Sequence, residues 1–374
     1  MSKISVIIPV YNSEKTILHT IEAVKKQEGL TEKPEIIVVD DGSKDNTFNL
    51  LKGTDGIIAI TQKNSGPATA RNNGAKNATG SILVFTDSDT VPHKDWLQKL
   101  TAPFNNSDLM ASTGTYSIEN KGNRLAQLIQ TEIEYKHSNY KDFVAFGGTY
   151  NLAIRKEIFD RIGGFNEDYK NASGEDVDIC YKILKQGYKI RFVKDAIVGH
   201  FHPENLFKYL KTQFKHGFWR AKLYYEHPNK ATGDDYTGSK EIIETLSAGF
   251  TIFSPFVFIF QNTPFFSTAR DGSVQASDRT SVISNRMLLY KRAPGWQASR
   301  KGGGLPKADK GIFKYLSFLP FITLLFIEYT FVSKIFSNSN KNKNLPSKLY
   351  AAFVFSLRAI YRTLGFIKGL IHFI

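Results

Sequence analysis

The chain contains a single cysteine, Cys180, among 374 residues, so no disulfide can form within it. That usage fits a reducing compartment. An export signal is also missing. The first apolar run, residues 4–10, is too short for a signal sequence and lacks a small-residue cleavage site. We interpret this run as a buried strand, and we expect the N-terminal domain to remain on the cytoplasmic face of a membrane.

Acidic residues are the minority, with 35 Asp and Glu against 49 Lys and Arg, which leaves a net charge of +14. Such an excess favours an anionic partner such as nucleic acid, anionic lipid or a phosphorylated substrate. No basic run with interleaved aromatic residues resembles a known nucleic-acid module, so we expect no nucleic-acid partner. No G-x-G-x-x-G follows the first apolar run, which disfavours a dinucleotide-binding dehydrogenase.

The first 200 residues alternate strand-like and helix-like segments, the pattern of a parallel sheet covered by helices. We predict strands at residues 4–10, 35–39, 57–61 and 82–86. Functional groups in such α/β sheets gather at the carboxyl ends of the strands. Two acidic clusters stand at those ends, DDGS at residues 40–43 and DSD at residues 87–89.

The composition changes after residue 205, where residues 205–226 predict a basic, aromatic helix. Residues 245–269 carry no charge and are long enough to span a bilayer, and residues 315–327 form a second uncharged stretch. Residues 349–374 resemble a helix lying in a membrane interface. We therefore divide the chain into a catalytic domain, a linker with an apolar helix, a basic and compositionally distinct loop, and membrane-associated apolar or amphipathic helices, at residues 1–230, 231–269, 270–310 and 311–374.

The DSD cluster suits a diphosphate leaving group. A divalent cation held by a carboxylate neutralises such a group directly as a Lewis acid. Of two carboxylates two residues apart, one can bind the metal while the other binds the ribose or a second metal site. The spacing alone is weak, because Asp176 and Asp178 repeat it and a polar turn after a strand explains it equally well.

The DDGS cluster places a carboxylate where it could accept a hydrogen bond from the imide N–H of uracil or thymine, although aspartate is also favoured in turns. Between the two clusters lies Arg71, whose guanidinium suits a diphosphate; a surface arginine is the alternative.

A third acidic cluster, GEDVDIC at residues 174–180, opens a segment with apolar residues at helical spacing. Glu175 and Asp176 then lie in the first helical turn, where the helix dipole alone favours acidic residues. The functional alternative is that one carboxylate takes the proton from an attacking hydroxyl, which is worth roughly 10²–10⁴ in rate.

The order of these motifs closely resembles the family 2 glycosyltransferases with the GT-A fold. The resemblance covers about residues 3–225 and rests on PVYN at 9–12, VDDGS at 39–43, GPATARN at 66–72, TDSD at 86–89, GGTYNLAIR at 147–155, GGF at 163–165 and GED at 174–176. It implies an α/β fold with a Rossmann-like, mainly parallel sheet flanked by helices, followed here by a membrane-associated helical region.

The resemblance also implies roles for individual residues. Asp176 would be the catalytic base of an inverting transfer, supported by Glu175. The nucleotide sugar would be bound by Pro9, Tyr11, Asp40, Asp41, Arg71, Asp87 and Ser88, with Asp41 and Tyr11 at the nucleobase. Mn²⁺ or Mg²⁺ would be bound by Asp89, Asp87 and either His200 or His202.

The acceptor side is less defined. We assign Gly148, Asn151, Gln213 and Trp219 to it as candidates. Processive relatives carry Q-x-x-R-W, whereas this chain has QFKHGFW at residues 213–219, which favours single transfers over chain extrusion.

These expectations describe a metal-dependent hexosyltransferase-like enzyme at the membrane, which passes a sugar to a hydroxyl or phosphate of a lipid-linked acceptor or a surface polysaccharide or other glycan precursor. The alternative is a catalytically silent GT-A module that binds glycan or serves as a scaffold in a membrane assembly.

Overall fold

The computed structural model describes residues 3–170, 173–230, 239–261, 319–338 and 345–373. The basic loop predicted at residues 270–310 lies outside the described residues, as do residues 262–269 and 315–318 of the two uncharged stretches. The sheet has nine strands: β1 Ile4–Val10, β2 Glu35–Asp40, β3 Ile58–Thr61, β4 Ile82–Phe85, β5 Thr90–Pro92, β6 Ala111–Ile118, β7 Phe143–Val144, β8 Leu152–Arg155 and β9 Ile190–His200.

Helices cover this sheet and continue beyond it. They are α1 Ile17–Lys25, α2 Thr47–Lys52, α3 Pro67–Asn77, α4 Trp96–Thr101, α5 Arg124–Ser138, α6 Lys156–Arg161, α7 Glu175–Lys185, α8 Leu206–Glu226, α9 Ser239–Gln261, α10 Leu319–Asn338 and α11 Leu345–Phe373. Short 3-10 turns lie at Ala102–Asn105, Thr149–Asn151 and Pro228–Lys230.

The four strands predicted from apolar runs are confirmed and form one parallel half of the sheet, in the order β3-β2-β1-β4. The near-continuous apolar sequences of β1, β2 and β4 follow from burial on both faces, whereas β3 is the largely exposed edge strand. Along β1, Ile7 enters the core on one face of the sheet, while Val6 and Ile8 enter the core on the other. The α/β fold class is therefore confirmed.

The second half makes the sheet mixed. β8 runs antiparallel between β4 and β6, whereas β9 pairs parallel with β6 and antiparallel with β5 and β7. β9 passes along β6 with a register shift between Thr113 and Thr115, and it ends at His200. That end lies beside β5, directly after the DSD cluster.

Helix α8 matches the helix predicted at residues 205–226, with Asn205 as its N-cap. Helix α11 packs along α8 through three glycines. A Cβ on Gly217 would lie 1.9 Å from the Arg362 carbonyl oxygen, and on Gly365 or Gly369 it would meet the carbonyl oxygens of Phe214 or Phe218. The two helix backbones are therefore in direct contact.

The placement of residues 349–374 in a membrane interface stays a prediction, in which two of the three basic residues, Arg358 and Arg362, face protein partners and Lys368 is exposed. Arg358 is buried and ion-pairs with Glu132 of α5. Arg362 donates to Gln213 of α8, and the Lys368 ammonium lies over the Phe214 ring. Buried cations need protein partners, which α5 and α8 supply.

Of the helices that the structure describes, only the segment Leu319–Ser337 of α10 is long and apolar enough to cross a membrane, by length and composition. Its one acidic residue, Glu328, is fully buried against the protein. An ionisable residue of a spanning helix is expected to face the protein interior.

Candidate functional site

The DDGS cluster lies in the turn after β2, beside the end of β1, and its two carboxylates are used differently. Asp40 is buried and accepts hydrogen bonds from the Ser43 amide and the Thr61 hydroxyl. Asp41 is buried as well and accepts from the Gln62 side chain at 2.8 Å. Asp40 therefore shapes the turn itself, and Asp41 reaches towards the segment that follows β3.

Asp41 fixes the start of α3. Its carboxylate also accepts from the backbone amides of Ser65 at 2.8 Å and Gly66 at 2.9 Å. Gly66 has φ 98°, a conformation that side chains with a Cβ rarely adopt, and a Cβ there would lie 2.8 Å from the Lys170 carbonyl oxygen. This turn orients α3 and with it Arg71.

Arg71 connects two of the three acidic clusters. Its guanidinium donates from Nη2 to Asp87 and from Nη1 to Glu175, both at 2.9 Å, and the side chain is 2% exposed. Burial alone would lower the pKa of Arg71, but Asp87 and Glu175 raise it. A charge-assisted pair of this kind is strong and directional, so Arg71 sets the spacing between β4 and α7.

Glu175 and Asp176 open α7, as the sequence predicts. Gly174 precedes them with φ 100°, and Glu175 also accepts a hydrogen bond from the Ser173 amide at 2.7 Å. Burial first, and then the charge of Asp176, raises the pKa of Glu175 to about 7 against the opposing effect of Arg71. Burial also raises the pKa of Asp176. Two adjacent carboxylates in one desolvated site resist simultaneous ionisation.

These residues share one cleft of about 190 Å³. It is lined by Arg71, Asp87, Tyr116, Thr149, Tyr150, Ser173, Gly174, Glu175, Asp176, Val177, His216, Arg220 and Leu223. The rings of Tyr116 and Tyr150 stack with centroids 3.4 Å apart and form one wall. Asp41 and Asp89 do not line this cleft. The structure therefore brings together two of the three acidic clusters in it, and the third reaches it only through the α3 turn.

Asp89 lies next to His200. The His200 Nε2 atom is 3.6 Å from the Asp89 carboxylate, which is 43% exposed, and His200 Nδ1 is buried without a partner among the described residues. The separation is too long for a hydrogen bond but suits two ligands of one cation. Asp87, two residues before Asp89, accepts from Arg71 instead, so Asp89 and His200 are the two potential ligands that face each other here.

His202 has a different environment. Its Nε2 atom pairs with the Gln130 side chain at 2.8 Å, and the ring is buried. Burial, and then the charge of His200, lowers the pKa of His202 to about 3. Of the two histidines that we predicted as alternatives, His200 alone faces Asp89.

Three of the acceptor candidates are engaged in packing. Asn151 is fully buried and hydrogen-bonds Trp96, Thr115 and Ala196. Gln213 is buried and accepts from Arg362. Trp219 packs on Tyr169 and Phe373 in the interior. Gly148 is close to the cleft, because a Cβ there would collide with the ring of Tyr150.

The remaining candidates lie at the neighbouring edge of the sheet. Pro9 belongs to β1 opposite Val39, and Tyr11 follows the strand with a largely exposed ring. The Ser88 hydroxyl hydrogen-bonds that of Ser13 at 2.9 Å. These residues border the turns that carry Asp41 and Asp87.

Sequence reasoning missed four residues of the cleft: Tyr116, Tyr150, His216 and Arg220. His216 and Arg220 lie one helical turn apart on α8, within and just after the segment that replaces Q-x-x-R-W, so that segment was the available signal. Tyr116 belongs to β6, whose sequence matches no motif that we identified.

Another group of potential metal ligands, Asp178, Glu226 and His227, is an ion-pair network. His227 Nε2 pairs with Asp178 at 2.8 Å, and Glu226 pairs with Lys222 and accepts from the Tyr169 hydroxyl, both at 2.8 Å. Lys182 lies 3.0 Å from Asp178 as well. Two lysines already neutralise these carboxylates.

The chain matches known families over the region just described. The sequence model of "Glycosyl transferase family 2" matches residues 5–163, and that of "N-terminal domain of galactosyltransferase" matches residues 129–204. Among solved structures, the mannosyltransferase PcManGT from Pyrobaculum calidifontis, in complex with GDP-Man and Mn²⁺, superimposes with a TM-score of 0.52. That likeness, at 15% identity, covers 100% of this chain and 88% of that one, and it shows a shared fold.

Two curated proteins that match this chain by sequence are both named as glycosyltransferases. The chain is 26% identical over 242 residues to the pre-mycofactocin glycosyltransferase of Mycobacterium tuberculosis. The matched region is 61% of this chain and 48% of that protein, so the chain spans about half of that relative's length. It is 32% identical over 223 residues to the glycosyltransferase AglE of Haloferax volcanii, which covers 57% of this chain and 71% of AglE. Because that identity extends over most of AglE and the family model matches residues 5–163, the chain belongs to the family 2 glycosyltransferases.

Proposed function

We propose that this glycosyltransferase is a metal-dependent, inverting enzyme that moves a sugar from a nucleotide-diphosphate donor to a hydroxyl or phosphate of a lipid-linked or other glycan-precursor acceptor. One observation carries the proposal: Arg71 joins Asp87 to Glu175 beside Asp176 in a single cleft. That arrangement supplies a cation for the diphosphate next to a carboxylate for the acceptor.

On the donor side, Tyr11 and Asp41 would contact the nucleobase, and Arg71 would contact the diphosphate. Asp87, Asp89 and His200 would bind Mn²⁺ or Mg²⁺. The ion would stabilise the charge that develops on the leaving diphosphate. Carboxylate oxygens are the ligands in this set that suit Mn²⁺ and Mg²⁺.

On the acceptor side, Asp176 would take the proton as the acceptor oxygen bonds to the anomeric carbon. The bond from that carbon to the diphosphate breaks, and its electron pair leaves with the nucleotide. The raised pKa of Asp176 supports this role, because a more basic carboxylate is a better proton acceptor. Glu175 would hold Arg71 in place.

The membrane part of the proposal rests on the C-terminal helices. α10 is a candidate span, and the outer faces of α9 and α10 expose large apolar side chains. The net charge of +14 favours an anionic lipid surface, where each Lys or Arg near the interface contributes about 1 kcal/mol. We propose that the catalytic domain lies on the cytoplasmic face.

The test is a screen of UDP-, GDP- and dTDP-sugars for Mn²⁺- or Mg²⁺-dependent nucleotide release and for transfer, followed by analysis of the product anomer. Asp176→Asn should lower transfer by roughly 10²–10⁴. Asp89→Ala should abolish the metal dependence together with turnover. Asp168→Asn is the matched control, since that carboxylate is 74% exposed and lies outside the cleft.

Retained transfer in folded Asp176→Asn would refute the assigned base, and retention of the donor's anomeric configuration would refute the single displacement. If no donor is turned over under any of these conditions, the silent glycan-binding module is the better description.

A further inference from the structure

A second and larger cavity, of about 660 Å³, lies next to the catalytic cleft. We call it the aromatic groove. It is lined by Tyr116, Ile133, Tyr135, Lys136, His137, Asn139, Tyr140, Lys141, Phe143, Val144, Phe146, Tyr150, His216, Glu241 and Phe331. Its surface is predominantly apolar, and most of its aromatic rings come from α5, from β7 and from the segments beside them.

The aromatic groove and the catalytic cleft share walls. Tyr116, Tyr150 and His216 line both cavities, so these side chains lie between the groove and the cleft that Asp176 lines. His216 is held by the Ser173 hydroxyl at 2.9 Å, and burial, followed by the charges of Arg362 and Arg220, lowers the pKa of His216 to about 3. A molecule lying in the groove would therefore present its end to the proposed base beside a neutral imidazole.

The outer wall of the aromatic groove belongs to the C-terminal helices. Phe331 of α10 packs edge-on against Tyr135, with ring centroids 5.8 Å apart, and Glu241 of α9 ion-pairs with Lys136 at 3.2 Å. The same two helices expose apolar side chains on their outer faces, namely Leu246, Phe250, Phe253, Leu319, Ile322 and Phe326. One pair of helices thus presents both the groove wall and an apolar outer surface.

We propose that the aromatic groove binds the apolar chain of a lipid-linked acceptor and directs its head into the catalytic cleft. This inference rests on the proposed function and identifies its acceptor as a lipid. Continuity of the groove wall with an exposed apolar surface favours a lipid chain, which can enter from a membrane without crossing water. Lys141, an exposed lysine of the groove lining, would favour an anionic lipid over a neutral one.

A glycan chain fits less well. Sugar hydroxyls need several hydrogen-bond partners, and unpaired ones are costly to bury. Although many lining residues carry a polar group, most of the lining surface is apolar, and two of the charged side chains, Lys136 and Glu241, are paired with each other. The His137 ring bonds the Thr115 hydroxyl.

The experiment uses the full chain and a polyprenyl phosphate that carries a photoreactive diazirine on its chain, with mass-spectrometric mapping of the labelled peptides. Ile133→Trp fills the groove, and Phe143→Ala removes a groove ring that is already 39% exposed. Phe207→Ala is the matched control, because Phe207 is an exposed phenylalanine of α8 outside the groove. Donor hydrolysis without acceptor is measured in every variant.

In the wild-type chain we expect labelling in α5 and in the segment around Phe143. In Ile133→Trp we expect the KM for the long-chain acceptor to rise about tenfold, which corresponds to the loss of two buried methylene contacts. Phe143→Ala should reduce labelling, and donor hydrolysis should not change in any of the three variants. A short-chain isoprenyl phosphate should bind more weakly than the long-chain one.

Labelling confined to the outer faces of α9 and α10, or a KM independent of the acceptor's chain length, would overturn the lipid assignment. If donor hydrolysis is intact in that case, the proposed function still stands. Equal transfer to a soluble oligosaccharide would overturn it as well. If the wild-type chain does not hydrolyse the donor at all, that result counts against the proposed function.

Discussion

A single guanidinium holds the acidic residues of the cleft at fixed separations. Arg71 bonds Asp87 after β4 and Glu175 at the start of α7, and its position depends on Asp41 through the turn at Gly66. Removing it would leave two buried or half-buried carboxylates without their cation, a change that costs about 3–5 kcal/mol in known buried pairs. Arg71 therefore contributes to stability, and donor binding is the further role that we propose for it.

The carboxylate pair at the start of α7 predicts a pH dependence. A carboxyl whose pKa is raised to about 7 takes up a proton as the pH falls below that value. Because the proton is shared with the proposed base, transfer should decrease below pH 7, by about tenfold per pH unit at the acid limit. The measurement is the pH profile of kcat/KM at saturating metal.

The variant Glu175→Gln separates the two groups. The amide oxygen can still accept from Arg71, while the bond from the Ser173 amide is lost, and the neutral side chain no longer raises the pKa of Asp176 by its charge. The acid limb of the profile should move to lower pH. An unchanged limb would show that some other group carries the proton.

At the residue scale, the sequence predicted which residues line the cleft better than it predicted how they are arranged in space. Glu175, Asp176, Asp87 and Arg71 all come from motifs, and the structure places them in one cleft. His216 was not predicted, because its relation to the cleft depends on how α8 crosses α7, and no local pattern encodes that crossing.

At the scale of elements, the contact between α8 and α11 depends on glycine. Helix backbones come this close only where side chains are missing, and each of Gly217, Gly365 and Gly369 faces a carbonyl oxygen of the opposite helix. The contact also brings Arg362 to Gln213, one turn from His216.

Gly365→Ala should separate the two helices and lower the free energy of unfolding by about 1–3 kcal/mol, as overpacking typically does. Gly249→Ala, within helix α9 and with nothing in range of the added Cβ, should raise it by about 0.5–1 kcal/mol, as helix propensity predicts. Chemical denaturation of both variants is the measurement. If both variants change the free energy of unfolding by the same small amount, α8 and α11 can move apart at little cost.

The elements differ in how well the sequence predicted them. β1, β2 and β4 are apolar runs buried on both faces, which is the strongest strand signal, whereas β3 at the sheet edge is largely exposed. β6 has the sequence ASTGTYSI, whose small and polar residues give no clear alternation, and its place beside β8 and β9 is set by long-range pairing. The basic residues of α11 suggested a membrane interface because their partners lie on α5 and α8, far away in sequence.

At the scale of the whole molecule, buried neutral histidines predict sensitivity to acid. Burial lowers the pKa of His137 to about 4 and those of His202 and His216 to about 3, against an ordinary value of 6.5. Below pH 6.5 the unfolded chain gains protons on these side chains and the folded one does not, so the stability present above that pH is lost as the pH falls. Each histidine costs up to about 1.4 kcal/mol per pH unit.

The measurement is Tm between pH 7.5 and pH 4, using His202→Gln as the comparison. The variant should lose less stability than the wild type over the acid range, whatever its Tm is at neutral pH. If the Tm of the wild type and the Tm of His202→Gln fall in parallel as the pH is lowered, His202 is protonated in the folded state.

The buried ion pair between α5 and α11 joins residues 226 positions apart, Glu132 and Arg358. During synthesis the acidic partner leaves the ribosome long before the basic one, so this side of α5 stays hydrated until most of the protein exists. A nascent chain that stalls before residue 358 would therefore lack this pair and keep Glu132 with its partner in the same helix, Lys136.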